Sequence, residues 1–186
     1  MGLGVPNIHL SLSILKPWDQ TALQTLQEEM TELSKIVLCH YKRQGNIPVV
    51  GFRDDLGKGI FVCTAGRDRL AITSDGKIWG CYLFPDYFEG KESSPEYQKF
   101  YFGTLDSFIE NHENMYPRIS SHYSQLSMDN FSTPNLSCSL CSHLANCVIC
   151  PVNAGLSGVS LGKIPHYACE IQKIKIQTKE KFRGEL

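Results

Sequence analysis

The sequence predicts an α+β fold, in which a short β-hairpin, helices and connecting loops are organised around a run of cysteines. Three observations lead to this prediction. An amphipathic helical stripe begins near residue 20, and an Asp-Gly turn at residues 75–76 separates two short apolar runs. Four of the eight cysteines lie between Cys138 and Cys150 with the spacing C-x2-C-x5-C-x2-C, followed directly by Pro151. Strand and helix signals that do not alternate regularly are typical of an α+β protein.

The N-terminal residues predict one strand and one helix. Apolar and polar residues alternate over residues 7–15, which is the period of a β-strand, and the polar face fits either a cavity lining or a solvated surface. From about residue 20 apolar residues recur at helical spacing, and Asp19 or Thr21 is the capping residue. The helical stripe consists of Leu23, Leu26, Met30, Leu33 and Val37. We expect this strand and helix to be the closing unit of a larger α/β domain.

A linker and a β-hairpin follow this helix. Glycines, a proline and two adjacent aspartates predict that residues 46–58 are a linker between domains. Short β segments begin at residue 59. Residues 69–73 and 78–81 are the two strands of the hairpin, and residues 74–77 (Ser-Asp-Gly-Lys) are its turn. Asp-Gly favours such a turn because glycine accepts the positive φ that the turn requires.

The C-terminal half has weaker patterns. Residues 85–103 are polar and aromatic, which predicts packing over the cysteines or, less simply, a surface that grips a peptide. Thr104 is expected to cap a short helix, and residues 117–136 are predicted to form a loop because serine, asparagine, proline and tyrosine are frequent there. Residues 170–181 mix isoleucines with lysines, which predicts a terminal helix packed over the cysteine region.

Composition and charge exclude several classes of function. A net charge of -1 gives no electrostatic footprint for nucleic acid or for an anionic membrane. No apolar run approaches the length of a transmembrane helix, and the N-terminus lacks the basic segment of a secretory signal. We therefore expect a cytoplasmic, reducing setting, in which cysteines bind metal or carry out redox chemistry rather than form structural disulfides.

The cysteine run has the chemistry of a metal site. Thiolates are soft ligands that favour iron–sulfur clusters and zinc, and a C-x2-C pair such as Cys138 and Cys141 places two of them in one tight turn. Cys147 is close enough in sequence to join this pair. The fourth ligand is then either Cys150 or Cys169, and a Cys-Pro ending such as Cys150-Pro151 is found where neighbouring cysteines ligate different clusters.

The remaining cysteines suggest a second metal centre. Cys63 and Cys81 lie at the two ends of the predicted hairpin, which would bring their sulfur atoms together. His143 and His166 are candidate ligands or hydrogen-bond donors to cluster sulfur, although such residues are more often surface groups. Cys39 is expected to be a buried free thiol at a helix end. No Ser-His-Asp or paired-carboxylate arrangement is recoverable, so no catalytic residue is predicted.

These motifs together resemble the SPASM domain, a C-terminal extension of radical SAM enzymes that modify peptides and proteins. The resemblance covers roughly residues 59–175, and the helix at residues 18–37 is similar to the last helical unit of the partial (β/α) barrel that precedes such domains. The motifs that carry the resemblance are Cys63-Thr-Ala-Gly66, Leu70-Ala-Ile72, Asp75-Gly76-Lys77, Cys81, Phe102-Gly103-Thr104-Leu105, the C-x2-C-x5-C run, Cys150 and the late Cys169.

The resemblance implies two auxiliary [4Fe–4S] clusters, around which the hairpin, loops and helices are wrapped. By position, the distal cluster would be held by Cys138, Cys141, Cys147 and Cys169, and the cluster nearer the barrel by Cys63, Cys81 and Cys150. The family has three residues between the third and fourth cysteines of the run, whereas only Val148 and Ile149 stand there in this chain. The fourth coordination position of the nearer cluster would be either open or occupied by Asp54, Asp55 or Cys39.

The resemblance also implies a domain organisation. Residues 1–45 would be the strand–helix remnant of the radical SAM barrel, residues 46–58 a linker, and residues 59–186 the SPASM-like domain. The C-x3-C-x2-C motif that holds the SAM-cleaving cluster is absent from the sequence. S-adenosylmethionine would therefore bind only to a preceding part of the enzyme, and this chain would not be self-sufficient as an enzyme.

Three functions are consistent with these features. The first is an auxiliary [4Fe–4S] domain of a peptide- or protein-modifying radical SAM enzyme, which transfers electrons or anchors the substrate and receives electrons from a flavodoxin- or ferredoxin-type donor. The second is a zinc-binding structural or interaction module, because C-x2-C pairs also hold zinc. The third is a ferredoxin-like electron carrier that acts in trans.

Overall fold

The computed structural model of the chain describes residues 7–13, 16–53, 64–126, 131–156 and 160–186. The α-helices in these ranges are α1 Gln20–Gln44, α2 Phe84–Phe88, α3 Pro95–Phe100, α4 Leu105–Ser124, α5 Pro151–Gly155 and α6 His166–Gly184. The β-strands are β1 Ala71–Ile72, β2 Lys77–Trp79, β3 Tyr101–Thr104, β4 Ser132–Thr133 and β5 Leu136–Ser137. The predicted mixed α+β class is confirmed. None of the helices in the described ranges combines the length and apolarity needed to cross a bilayer.

Helix α1 forms where the apolar stripe predicts it. The Asp19 side chain accepts a hydrogen bond from the backbone N–H of Ala22 at 2.8 Å, so Asp19 rather than Thr21 is the N-cap. The helix ends at Gly45, whose φ of 73° is favourable for glycine and whose N–H donates to the Tyr41 carbonyl oxygen at 2.8 Å. The stripe residues that become buried are Leu23, Leu26, Met30 and Val37.

Replacing the cap is expected to destabilise α1. Asp19→Ala removes the acceptor of the Ala22 N–H and should lower the free energy of unfolding by about 1 kcal/mol, which is typical for loss of an N-cap. Urea denaturation followed by circular dichroism measures this change. Thr21→Ala is the matched control and should change the free energy much less, so an equal or larger loss in that variant would contradict the assignment of Asp19 as the cap.

One hydrophobic core joins the two ends of the chain. Its buried residues come from α1, from α6 and from the segments between them, and they include Val37, Phe131, Ile149, Ile164, Ala168, Ile171 and Phe182. The described part of the predicted linker also contributes, because Val49 is 1% and Phe52 2% exposed. The ring centroids of Phe52 and Phe182 lie 4.9 Å apart. The described part of the predicted linker is therefore anchored in this α1/α6 core through Val49 and Phe52, while Asn46 and Gly51 are exposed. Residues 54–58 lie outside the described ranges.

The strand predicted over residues 7–15 is wrong for residues 7–13, where only a single β-bridge forms. Ile8 donates to the Pro48 carbonyl oxygen at 2.8 Å and accepts from the Val50 N–H at 3.0 Å. The alternating pattern has no partner strand beyond this point, because the chain turns into a short 3-10 helix at Val50–Phe52. Residues 14 and 15 lie outside the described ranges.

The predicted hairpin is confirmed. Strands β1 and β2 pair antiparallel, with Ala71 opposite Trp79, and Gly76 has a φ of 77° in the turn between them. Strand β3 adds to the other side of β2, which gives a three-stranded antiparallel sheet in the order β1-β2-β3. The predicted β segment that begins at residue 59, together with Cys63, lies outside the described ranges.

A second, aromatic core packs against this sheet. It contains Trp79, Phe84, Tyr87, Phe88, Tyr97, Phe100, Phe102 and Tyr123, together with Ile78, Ile119 and Val152. Helix α4 begins after Thr104, whose hydroxyl accepts from the Ser107 N–H at 3.3 Å as predicted. It continues to Ser124, so the prediction of a loop from residue 117 is wrong at its start. Burial of Ile119 and Tyr123 in the aromatic core explains why the helix persists.

Tyr123 fixes the chain next to Cys81. Its hydroxyl accepts a hydrogen bond from the Gly80 N–H at 2.8 Å and donates to the Phe100 carbonyl oxygen at 2.6 Å. The Gly66 N–H in turn donates to the Gly80 carbonyl oxygen at 3.0 Å. A Cβ atom on Gly80 would lie 2.4 Å from the Tyr123 ring, so this close approach requires glycine. Burial raises the pKa of Tyr123, which keeps the hydroxyl protonated as a donor.

Candidate metal centre

The cysteine run folds as two consecutive tight turns. The short hairpin of β4 and β5 leads into it, and the Cys138 N–H donates to the Phe131 carbonyl oxygen at 2.9 Å. A 3-10 turn at Cys138–Leu140 follows, in which the Cys141 N–H donates to the Cys138 carbonyl oxygen at 3.1 Å. A second 3-10 turn at Leu144–Asn146 ends at Cys147. The C-x2-C pair therefore adopts the compact turn that two ligands of one centre require.

Helix α6 brings Cys169 to the same place. Pro165 precedes the helix, and the Cys169 N–H donates to the Pro165 carbonyl oxygen at 3.2 Å, so Cys169 lies in the first turn. Ala168 and Ile171 are fully buried in the α1/α6 core and fix the rotation of the helix about its axis. The late cysteine thus meets the run because the terminal helix packs on α1.

Four cysteines line one cavity of about 180 Å³, and these are the four that the resemblance assigns to the distal cluster. Its lining residues are Thr133, Asn135, Leu136, Cys138, Cys141, Leu144, Cys147, Ile149, Ile164, His166, Cys169, Glu170 and Lys173. The walls contributed by Leu144, Ile149 and Ile164 are apolar. Cys150 does not belong to the lining, although it is in the same run.

The thiols in the cavity influence one another. Burial is the largest cause that raises the pKa of Cys138 to about 11, and the nearby thiols of Cys147, Cys169 and Cys141 contribute to the same shift in that order. Burial also raises the pKa of Cys147, although the Ile149 backbone N–H opposes the shift by donating to its sulfur. A metal centre reverses this preference because its positive charge binds thiolates and releases their protons. Burial therefore favours the thiol form of Cys138 and Cys147 as long as no cation is bound.

Charged residues stand beside Cys169 at the cavity. Lys173 donates to Glu170 Oε1 at 2.7 Å, and His166 Nε2 lies 3.6 Å from the same oxygen. Burial raises the pKa of Cys169, while the Lys173 ammonium opposes this. The sequence pointed to His166 but not to Glu170 or Lys173. His143 is not part of the cavity lining within the described ranges, so of the two predicted histidines only His166 is positioned to act there.

The run is divided between the two cores. Cys138, Cys147 and Cys169 pack against the α1/α6 core, whereas Cys81 and Cys150 pack against the aromatic core. The resemblance assigns Cys138, Cys147 and Cys169 to one cluster and Cys81 and Cys150 to the other, and these ligand sets stay a prediction. Cys63 falls outside the described ranges.

The structure describes only one of the three residues that are candidates for the fourth ligand of the second centre. Cys39 is exposed on α1, so the prediction that it is a buried thiol is wrong. It is exposed because α1 continues through residue 44 and turns this position toward solvent. Asp54 and Asp55 fall outside the described ranges, so the fourth ligand of the second centre stays a prediction.

The four sulfur atoms that line the cavity are donors of the kind that an iron–sulfur cluster binds. Within the described ranges no three His, Cys, Asp or Glu side chains stand close enough to hold a single metal ion. One tetrahedral zinc ion would require sulfurs only ~3.8 Å apart, given Zn–S bonds of about 2.3 Å. In a [4Fe–4S] cluster each thiolate binds a different iron atom, so the four sulfurs need not approach one ion.

The fold and this cavity define the chain as an α+β protein with four thiols converging on one site. No protein-family model matches the chain, and no match was found among curated proteins. The resemblance to the SPASM domain therefore depends on the spacing of the cysteines and on the short motifs around them.

Proposed function

We propose that the chain is an auxiliary [4Fe–4S] domain of a radical SAM enzyme that modifies a peptide or protein. The convergence of Cys138, Cys141, Cys147 and Cys169 on one cavity carries this proposal. Separation of Cys150 from that cavity supports it further, because a second centre with Cys81 and Cys63 then accounts for three of the four remaining cysteines. Sulfur donors and apolar walls are the surroundings in which such clusters are held.

The residues of the chain have distinct parts in this function. The four cysteines hold the distal cluster, while Leu144, Ile149 and Ile164 limit the access of water to it. A bound cluster supplies one-electron chemistry or a point of attachment for the substrate. Electrons would come from a flavodoxin- or ferredoxin-type donor in a reducing cytoplasm, and S-adenosylmethionine would bind to a part of the enzyme that carries C-x3-C-x2-C.

The proposed domain organisation has a structural consequence. Residues 1–45 are assigned to the end of the radical SAM barrel and residues 59–186 to the auxiliary domain. Helices α1 and α6 nevertheless contribute to one hydrophobic core. In this assignment the barrel and the auxiliary domain are joined by direct packing, which would hold the distal cluster at a fixed position relative to the barrel.

Anaerobic reconstitution with iron and sulfide tests the proposal. We expect a brown protein with about eight iron and eight sulfide per chain, as two clusters require, and Mössbauer spectra of [4Fe–4S] type. A colourless protein that retains only zinc would instead identify the zinc module. Fewer than about four iron atoms per chain would overturn the proposal, since not even one complete cluster would then be present. C-x3-C-x2-C encoded directly upstream would exclude the separate electron carrier.

A further inference from the structure

Strand β1 lies at one edge of the three-stranded sheet and pairs with β2 on one side. The Thr73 N–H donates to the Lys77 carbonyl oxygen at 3.0 Å, so the main chain of Thr73 is turned toward β2. Bonded and non-bonded positions alternate along an antiparallel pair, which turns the N–H and C=O groups of Ile72 and Leu70 away from β2. No backbone hydrogen bond from another described residue reaches them on this outer side. The edge therefore presents two donors and two acceptors in the register that an added strand requires.

The side chains that accompany these groups are apolar and accessible. Leu70 is 40% and Ile72 59% exposed. Ile72 lies opposite Ile78, so their side chains share one face of the sheet, and Ile78 is buried in the aromatic core. An apolar side chain on an added strand would cover Ile72 and extend that core by one strand.

Arg69, at the start of this edge, is exposed and forms no ion pair with a described residue. The neighbouring charges are balanced. Arg67 is paired with Asp68 at 3.2 Å. Lys77 is paired with Asp75 at 2.8 Å. Charge complementarity at the edge therefore favours a partner that brings a carboxylate to Arg69.

We propose that the outer edge of β1 binds an extended, carboxylate-bearing segment of the peptide or protein that the enzyme modifies, as an added β-strand. This inference rests on the proposed function for the identity of the partner. Main-chain hydrogen bonds to Leu70 and Ile72 supply affinity, while their side chains and Arg69 select the sequence of the segment. A second copy of the chain is a weaker fit, because it brings another Arg69 to the edge rather than a carboxylate.

The position of this edge connects it to the second metal centre. Strand β2 ends at Trp79, and Gly80 and Cys81 follow directly. A segment bound to β1 lies two strand spacings, or roughly 10 Å, from β2. The substrate would thus be anchored on the hairpin that supplies Cys81.

Amide hydrogen exchange of the full chain, read at residues 69–73 by mass spectrometry, tests the proposal. The probes are acetylated hexapeptides that alternate valine and threonine and carry one glutamate at each position in turn. We expect at least one probe, at saturation, to slow exchange of these residues by roughly tenfold. Replacing its glutamate with glutamine should weaken binding about threefold. An added strand turns only one of its edges toward β1, so N-methylation of alternate peptide amides should abolish protection in one of the two possible patterns.

Variants of the edge provide the second measurement. Ile72→Pro removes the outward N–H but no hydrogen bond to β2, and it should weaken probe binding roughly tenfold. Ile72→Val keeps the N–H and is the matched control, which should bind as the wild type does. Arg69→Gln should remove the preference for glutamate over glutamine in the probe, so the proposal stays testable if the proline variant does not fold.

Several results would overturn the inference. They are the absence of protection by every probe, the same effect of both N-methylation patterns, and equal affinities of the Ile72→Pro and Ile72→Val proteins. Protection that rises with protein concentration alone would also overturn it, because a second copy would then occupy the edge. A chain that assembles no cluster contradicts the proposed function, whereas exchange at residues 69–73 of that chain still decides whether β1 binds a strand.

Discussion

Replacing Cys147 with alanine is expected to reduce bound iron from about eight to about four atoms per chain, because one of two [4Fe–4S] clusters loses a ligand. Cys150→Ala should have a similar effect on the other cluster. The double replacement of Cys147 and Cys150 shows whether these two cysteines bind the same cluster or different clusters. It should leave almost no iron if the residues serve different centres, as their packing against different cores suggests.

Iron and sulfide analysis after anaerobic reconstitution measures these outcomes. Ser142→Ala is the control, since Ser142 is an exposed residue of the same run that is not a predicted ligand, and it should retain the wild-type iron content. If the double variant keeps about four iron atoms per chain, Cys147 and Cys150 ligate the same cluster and the division of the run is wrong. Circular dichroism of each variant separates loss of a ligand from loss of the fold.

Gly80→Ala is expected to destabilise the packing of the aromatic core strongly. The new Cβ would lie 2.4 Å from one Tyr123 ring carbon and 2.6 Å from the Gly66 backbone nitrogen. Both neighbours are held in place, because Tyr123 is 5% exposed and its hydroxyl bonds Gly80 and Phe100. Overpacking of this kind costs up to about 3 kcal/mol, and loss of the buried hydrogen bond adds about 1 kcal/mol.

Urea denaturation compares this variant with Gly51→Ala. Gly51 has no heavy atom within 4 Å of an added Cβ, and neither glycine has a positive φ. The control should therefore differ from the wild type by less than about 1 kcal/mol. A free energy of unfolding for Gly80→Ala equal to that of Gly51→Ala would show that Tyr123 does not hold the turn before Cys81 as described.

Local signals predicted the elements that depend mainly on local chemistry. The Asp19 cap and the stripe of α1 specify a helix with one buried face, and Gly76 specifies the hairpin turn. The Thr104 cap likewise predicted where α4 begins. The length of α4 could not be predicted, because residues 117–124 have a turn-like composition and are helical only through the burial of Ile119 and Tyr123. The strand predicted from the alternation at residues 7–13 did not form, since a strand also requires a neighbouring strand with which to pair.

Local sequence signals also predicted only part of the candidate site. C-x2-C spacing predicted that Cys138 and Cys141 share a turn, and it left Cys150 and Cys169 as alternatives for the fourth place. Only the packing of α6 on α1 selects Cys169 as the fourth cysteine of the cavity.

The short passage between the two cores limits how far apart two metal centres could be. Ile149 is buried in the α1/α6 core and Val152 in the aromatic core, so the chain is anchored on both sides of Cys150. Three peptide units join Cys147 to Cys150, which restricts their Cα atoms to at most ~11 Å. Each cluster centre lies beyond its cysteine sulfur, so at a separation of ~15 Å and an effective dielectric constant of about 20 one added electron opposes a second by about 1 kcal/mol. Two centres anchored there would titrate as a coupled pair, with the second electron accepted at a lower potential than the first.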